Sequence, residues 1–260
     1  MIQFDFNRFG RVARWSLRND RRYFVKSFLQ MFVVLLLGFL FFLTANTSNN
    51  HSGGLLMCSI MILAIFQVTI VLGSSYMFFS MDGKHNMQTL LMLPASNLEK
   101  YLMRYATWIL LLPLYLVAFV AADLLQYAVN TLIGREDVML VMQYMADMID
   151  IGEFLGTKAN GNTAEVVFHQ LMLTLWLHSL YAVGATFFRS RKYNWVVTTV
   201  VLILGFMLLT TTVGWGNVMV AWWNNRMLWS WVFLMLTLFN FWLSYRLFCR
   251  TQVIGKFINV

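Results

Sequence analysis

Side chains able to do chemistry are scarce in this chain, and those that stand out lie inside long apolar runs. Gln30, Gln67, His169, Gln170, His178 and Asn240 interrupt stretches otherwise rich in Leu, Val, Phe, Met and Trp. A polar group in a membrane-length run must be satisfied by another part of the protein. It either hydrogen-bonds a neighbouring helix or lines a path for a polar cargo. Gln67, His169, His178 and Asn240 are the candidates for such a path. Glu165 and His169 are four apart and can pair on one helix face. His169 and His178 are nine apart, which puts them on opposite faces. No set of His, Cys, Asp or Glu has the spacing of metal ligands, so no metal is expected. No carboxylate pair, and no nucleophile beside a base, marks a membrane boundary, so the chain is not expected to be an enzyme. Neither a string of carboxylates fit for proton coupling nor halves resembling inverted repeats are present.

A second group of residues builds a shape. The stretch LLMLPASNLEK, residues 90–100, holds a proline, a cap signature and a charge pair between two apolar runs. Asp82 and Gly83 close the run before it, and Asn86 can cap a short helix over residues 86–93. Pro94 lacks an amide hydrogen and restrains Leu93, so the helix stops there. Ser96 and Glu99 match the S-x-x-E capping box and open the next helix. The product is a delimited knob whose exposed side offers His85, Gln88 and Met92. Apolar groups presented to solvent between two spans suit insertion into a groove of a soluble partner.

The elements that position these groups follow from composition. Of 260 residues 60% are hydrophobic and 12% charged, about half the charge of a soluble domain. An all-α integral membrane protein is expected. A bilayer core of ~30 Å needs about 20 apolar residues per helix, and six runs qualify: 25–45, 55–79, 101–122, 165–188, 195–213 and 227–248. Six spans put both termini on one side, with sixteen of the nineteen Lys and Arg. That bias marks the cytoplasm, and the expected location is a bacterial cytoplasmic (inner) membrane. The net charge of +8 is thus a consequence of topology, and nucleic acid is not an expected partner. The first 24 residues lack the layout of a signal peptide. On a helical wheel Phe6, Phe9, Val12, Ala13 and Leu17 share one arc and Arg8, Arg11, Arg14, Arg18, Arg21 and Arg22 the other, with Trp15 off-pattern. Residues 1–24 therefore read as an amphipathic helix on the inner interface. It serves either as a charge anchor for the first span or as a connecting helix touching a cytoplasmic partner, and Arg11, Arg14, Trp15 and Arg18 are its interfacial residues. Residues 123–163 are too many for a turn. They are expected to form an extracytoplasmic helical cap with an acidic surface that includes Asp123, and an inner stripe of Val138, Met142, Met145 and Ile149. That stripe either packs on the cap's own neighbours or holds an apolar substrate. Residues 214–226 read as a re-entrant segment or an aromatic belt at the headgroups, and 249–260 as a cytoplasmic tail.

LLMLPASNLEK resembles the L-P-[VA]-S-x-x-E segment after the second span in permease subunits of ABC-2 type transporters. FFRSRKYNW, residues 187–195, resembles the basic turn between spans four and five of that group, and the six-span topology with a basic N-terminal helix is similar throughout. The chain departs from the family in having Asn97 where a basic residue is usual, and in its long second outer connection. The resemblance implies an exporter in which two permease copies, identical or paralogous, form the pathway in a lipid bilayer and cytoplasmic ABC ATPase subunits dock beneath. Residues 86–93 would be the coupling helix, with His85, Gln88, Leu91, Met92, Pro94, Ser96 and Glu99 at the ATPase contact. This chain has no G-x-x-x-x-G-K-[ST]: Gly83-Lys84 is followed by His85, and Gly255-Lys256 by Phe257. No cofactor is therefore expected on this chain, and ATP with Mg belongs to the partner. The alternative is a non-transporting membrane immunity or assembly protein that binds a peptide or a membrane complex.

Overall fold

Each apolar run is a helix, and what ends it is local chemistry. The computed structural model describes residues 4–45, 51–81, 88–90, 92–135, 139–148, 162–188, 193–214 and 225–250. In chain order they form α1 (Phe6–Asn19), α2 (Arg21–Ala45), α3 (His51–Gly73), a 3₁₀ helix (Ser74–Met81), α4 (Asn97–Leu132), α5 (Val141–Met148), α6 (Asn162–Phe187), α7 (Asn194–Val213) and α8 (Arg226–Cys249). No strand occurs among the described residues. Six stretches are long and apolar enough to cross a membrane: Arg21–Thr44, Gly53–Phe78, Asn97–Leu132, Glu165–Phe187, Asn194–Thr212 and Arg226–Cys249. The protein is an all-helical, multi-pass membrane protein.

Three element limits differ from the sequence reading. The N-terminal helix ends at Asn19, because buried Asp20 turns the chain and accepts the Phe24 amide at its carbonyl (3.1 Å), so Arg21 and Arg22 start α2. The third span does not stop at 122. It continues to Leu132, past Pro113, whose missing amide a span tolerates. At 1.5 Å per residue its 36 residues reach about 54 Å, well beyond the bilayer core. A side-chain ladder supports the extension: Gln126 Nε2 donates to Asp123 Oδ1 and Asn130 Nδ2 to Gln126 Oε1, both at 2.9 Å. The helix ends where Gly134 takes φ 77°, with Gly134 N–H on Thr131 O (3.0 Å) and Arg135 N–H on Asn130 O (3.2 Å). That pair of bonds is a Schellman cap. Asp123 is consequently a buried helix residue, 1% exposed, and not part of an acidic cap surface. Of the proposed inner stripe, Met145 packs inward, Met142 is exposed, and Val141 takes the buried place. Val138 and Ile149 lie outside the described residues, as do 215–224 of the expected re-entrant segment and residues 251–260 of the tail.

The chain divides into two compact units. One comprises Met1–Ser16, Thr69–Trp108 and Asn160–Val260. Its longest packing seam joins α6 and α8, where Ser230, Phe233, Thr237, Asn240, Ser244 and Phe248 recur every three or four residues and are buried. Small and polar residues let membrane helices approach closely and bond across the seam. Here Asn240 Nδ2 donates to Ser179 Oγ (2.9 Å), Ser244 Oγ to Ala182 O (3.0 Å), and Trp176 stacks on Phe233 at 4.9 Å. The other unit comprises Leu17–Val68 and Ile109–Ala159. Its core gathers Leu35, Phe39, Leu55, Cys58, Ile62, Phe119, Ala122 and Val141. Cys58 is buried there and Cys249 is exposed, and both are free thiols.

Candidate functional site

The LLMLPASNLEK corner is assembled around one carboxylate. Glu99 N–H donates to Ser96 Oγ (3.2 Å) and Ser96 N–H to Glu99 Oε2 (2.9 Å), a reciprocal capping box that opens α4. The same carboxylate accepts the Asp5 amide at Oε1 (2.7 Å). It also accepts Arg8 Nε at Oε2 (2.8 Å) and Arg8 Nη2 at Oε1 (2.6 Å), a two-pronged fork. Asp5 in turn opens α1, accepting Asn7 N–H at Oδ1 (2.8 Å). The bond to Glu99, above all, raises the pKa of Arg8 further above its ordinary value. Glu99 therefore ties the start of α1 to the start of α4. It is fully buried with both oxygens occupied. Arg8 leaves the exposed arc that the helical wheel gave it.

Apolar packing fixes the rest of the corner. Residues 88–90 are helical, and Leu90 is fully buried among Val12, Met77, Phe78, Tyr101, Met103 and Phe248, with Phe9 and Leu93 packed at the edge. Phe78 stacks on Phe248 at 5.7 Å, and Tyr101 Oη donates to Ser244 Oγ at 3.1 Å. The Ala95 amide donates to Leu93 O (2.8 Å) across Pro94, a three-residue turn. With Leu90, Leu93 and Ala95 held, Gln88, Met92 and Pro94 are left outside, and Met92 is 83% exposed. Ser96 is half-buried. His85 and Leu91 lie outside the described residues. On α1, Arg11, Arg14 and Arg18 are exposed and Trp15 half-buried. The buried stripe is Val12 and Ser16, while Phe6 and Leu17 are exposed, so the inward arc is narrower than predicted.

Two residues that sequence reasoning passed over, one on α4 and one on α7, hold the 3₁₀ helix that follows α3. Arg104 is fully buried, with Nε donating to Met77 O (3.0 Å) and Nη1 to Ser16 Oγ (3.1 Å). Asn194 Nδ2 donates to Ser75 O (2.9 Å). Both carbonyls belong to the 3₁₀ helix. The end of α3 that leads into it is held by His178, whose Nδ1 lies 2.6 Å from Ile70 O. A carbonyl only accepts, so Nδ1 carries the proton, and in the neutral ring Nε2 accepts from Tyr105 Oη at 2.7 Å. Ser74 Oγ donates back to His178 O (2.6 Å), and the Trp108 ring lies 4.5 Å from the imidazole. Trp108 Nε1 and Asn194 Oδ1 are buried with no hydrogen-bond partner.

Three of the intramembrane polar residues serve helix contacts. His178 bonds as above, Asn240 bonds Ser179, and His169 Nδ1 faces Ser230 Oγ (3.0 Å) and Arg226 O (3.2 Å). For these three, helix-to-helix bonding is the use the geometry shows. Gln67 is half-buried, whereas Gln30 and Gln170 are exposed, against the expectation that none faces outward. Among the described residues no three His, Cys, Asp or Glu side chains cluster as a metal site. Comparison with family models, curated proteins and solved structures finds no match to this chain.

Proposed function

We propose that this chain is the membrane-spanning permease subunit of an ABC transporter of the exporter type, working as a dimer and driven by a separate cytoplasmic ATPase. The observation that supports it is the corner itself. A turn with Leu90 and Glu99 fully buried presents Met92 at 83% exposure. A connection that only returned the chain to the membrane would have no use for an anchored apolar tip. Force applied to such a tip is transmitted, because the tip is joined to α1 through Glu99 and to the core through Leu90. In this reading the basic end faces the cytosol, Gln88 and Met92 enter a groove of the ATPase, and ATP and Mg stay on that partner. Arg11, Arg14, Trp15 and Arg18 lie at the inner interface beside it.

The test is purification of the tagged chain in mild detergent from its own host, reading bound P-loop ATPase by mass spectrometry and ATP hydrolysis in the eluate. The wild type should carry the ATPase, and Gln88→Glu with Met92→Glu should lose at least nine-tenths of it at unchanged helix content. A charge forced into an interface core without a partner costs several kcal/mol, whereas on a free surface it costs almost nothing. A wild-type chain without an ATPase, or a double variant with undiminished yield, overturns the proposal.

A further inference from the structure

The first span carries two parallel tracks on its outer surface. Arg22, Lys26 and Gln30 follow one another every four residues, and all are exposed. Beside them Val25, Leu29, Val33, Leu37 and Phe41 repeat at the same spacing, between 47% and 64% exposed. At 1.5 Å per residue the polar track is about 12 Å long and the apolar one about 24 Å. At the basic end they share a groove of about 550 Å³ formed by Arg21, Arg22, Val25, Lys26, Leu29 and Gln30. Three cations line it, no acid does, and none of Arg22, Lys26 and Gln30 has a side-chain partner among the described residues.

Gln30 is the informative residue. Cations at the mouth of a span follow from topology alone, but an exposed amide two turns deeper does not. Its donors and acceptor go unsatisfied against hydrocarbon, at a cost comparable to a lost hydrogen bond. What lies at that depth with oxygen acceptors is the glycerol ester region of a phospholipid. We propose that this face of α2 is a binding site for an anionic phospholipid. The phosphodiester lies between Arg22 and Lys26, Arg21 adds a third cation beside the headgroup, and an ester carbonyl accepts from the Gln30 amide. One leaflet is ~15 Å deep, so a single acyl chain covers Leu29, Val33 and Leu37. Charge complementarity selects an anionic lipid over a zwitterionic one, and the length of the apolar track selects a lipid over a soluble phosphate. The site stands whether or not an ATPase docks.

The full chain is placed in nanodiscs containing phosphatidylcholine and phosphatidylglycerol, and lipid retained after detergent extraction is counted by native mass spectrometry. Phosphatidylglycerol should be enriched on the wild type. Arg22→Gln with Lys26→Gln should reduce that enrichment about thirty-fold, two steps of the ~1 kcal/mol, or about fivefold, that each cation gains at an anionic surface. Gln30→Leu should reduce it without any change of charge, and Arg11→Gln with Arg14→Gln should leave it unchanged. Equal retention of the two lipids overturns the proposal. So does an equal loss in the Arg11/Arg14 variant, which would make the cations a general anchor. Competition by soluble glycerol phosphate as strong as by the lipid overturns the acyl track. Spontaneous disulfide dimers of Val33→Cys in the membrane would assign the face to a second copy of the chain and overturn it too.

Discussion

Removing the carboxylate of Asp123 should release α5 while leaving the spans in place. The helix has eight residues, too few to persist alone in water, and its first-turn amides need acceptors from outside. Asp123, on a neighbouring helix, supplies them: Val141 N–H lies 3.0 Å from Oδ1 and Met142 N–H 2.9 Å from Oδ2, with Gln126 Nε2 at 2.9 Å from Oδ1. Hydrogen bonds to a charged group contribute ~1.5–3 kcal/mol each, so the two amide bonds together hold α5 by about 3 kcal/mol at the low end. Tenfold in population corresponds to ~1.4 kcal/mol. Asp123→Ala should therefore raise the undocked fraction of α5 roughly a hundredfold. Asp123→Asn should fall between, because an amide offers one acceptor where two are needed. Hydrogen exchange of the nanodisc-embedded protein reads this directly. Protection at Val141 and Met142 should drop by about that factor, while Arg226–Cys249 stays as slow as in the wild type. If protection at Val141 and Met142 is unchanged in Asp123→Ala, packing of Val141, Tyr144 and Met145 alone holds the helix, and the reasoning from the carboxylate fails.

A methyl added at Gly73 would overlap the indole of Trp108, a bulky buried ring, whereas one added at Gly38 meets only the flexible end of Met61. Gly73→Ala should thus lower the thermal midpoint in detergent, read by fluorescence-detected size exclusion, and Gly38→Ala should leave it within a degree or two; equal effects would refute the distinction. Asn240→Leu removes one bond across the α6–α8 seam, for which ~0.6 kcal/mol is the average in membrane bundles, so the same assay should show a small fall and not loss of the monodisperse peak.

How much of this was readable depended on whether the deciding interaction was local. The six spans follow from hydropathy, and the Ser96–Glu99 box from a three-residue spacing, because both are settled within one segment. Equating polarity with departure from the membrane misplaces Asp123, which is a buried residue of α4. Yet Asp123, Gln126 and Asn130 stand three and four apart, a helical period, and Gly134 eleven residues on is the true stop signal. Reading the cap before the charge would have found α4's end. Arg8 and Glu99 are 91 residues apart, and nothing in either segment announces the other.

The 3₁₀ helix Ser74–Met81 shows the same limit in its sharpest form. Its sequence, SSYMFFSM, holds no proline or glycine and stays apolar on average, like the span it continues. Eight residues is long for this conformation, which is usually confined to three or four and marks hinges or conflicting demands when it extends a helix. The conflict is visible in the acceptors. Carbonyls at and beside the segment are engaged by side chains: Ile70 O by His178, Leu72 O by Ser75, Ser75 O by Asn194 and Met77 O by Arg104. At ~2.0 Å rise per residue instead of 1.5, eight residues extend the span by about 4 Å beyond an α-helix. That extension carries Met77 and Phe78 into the cluster that buries Leu90. Counting basic residues at one end treats Arg8 and Arg104 as interchangeable with the others. In the fold they are not: one closes the corner on Glu99, and the other holds the stretched backbone that the corner is packed against.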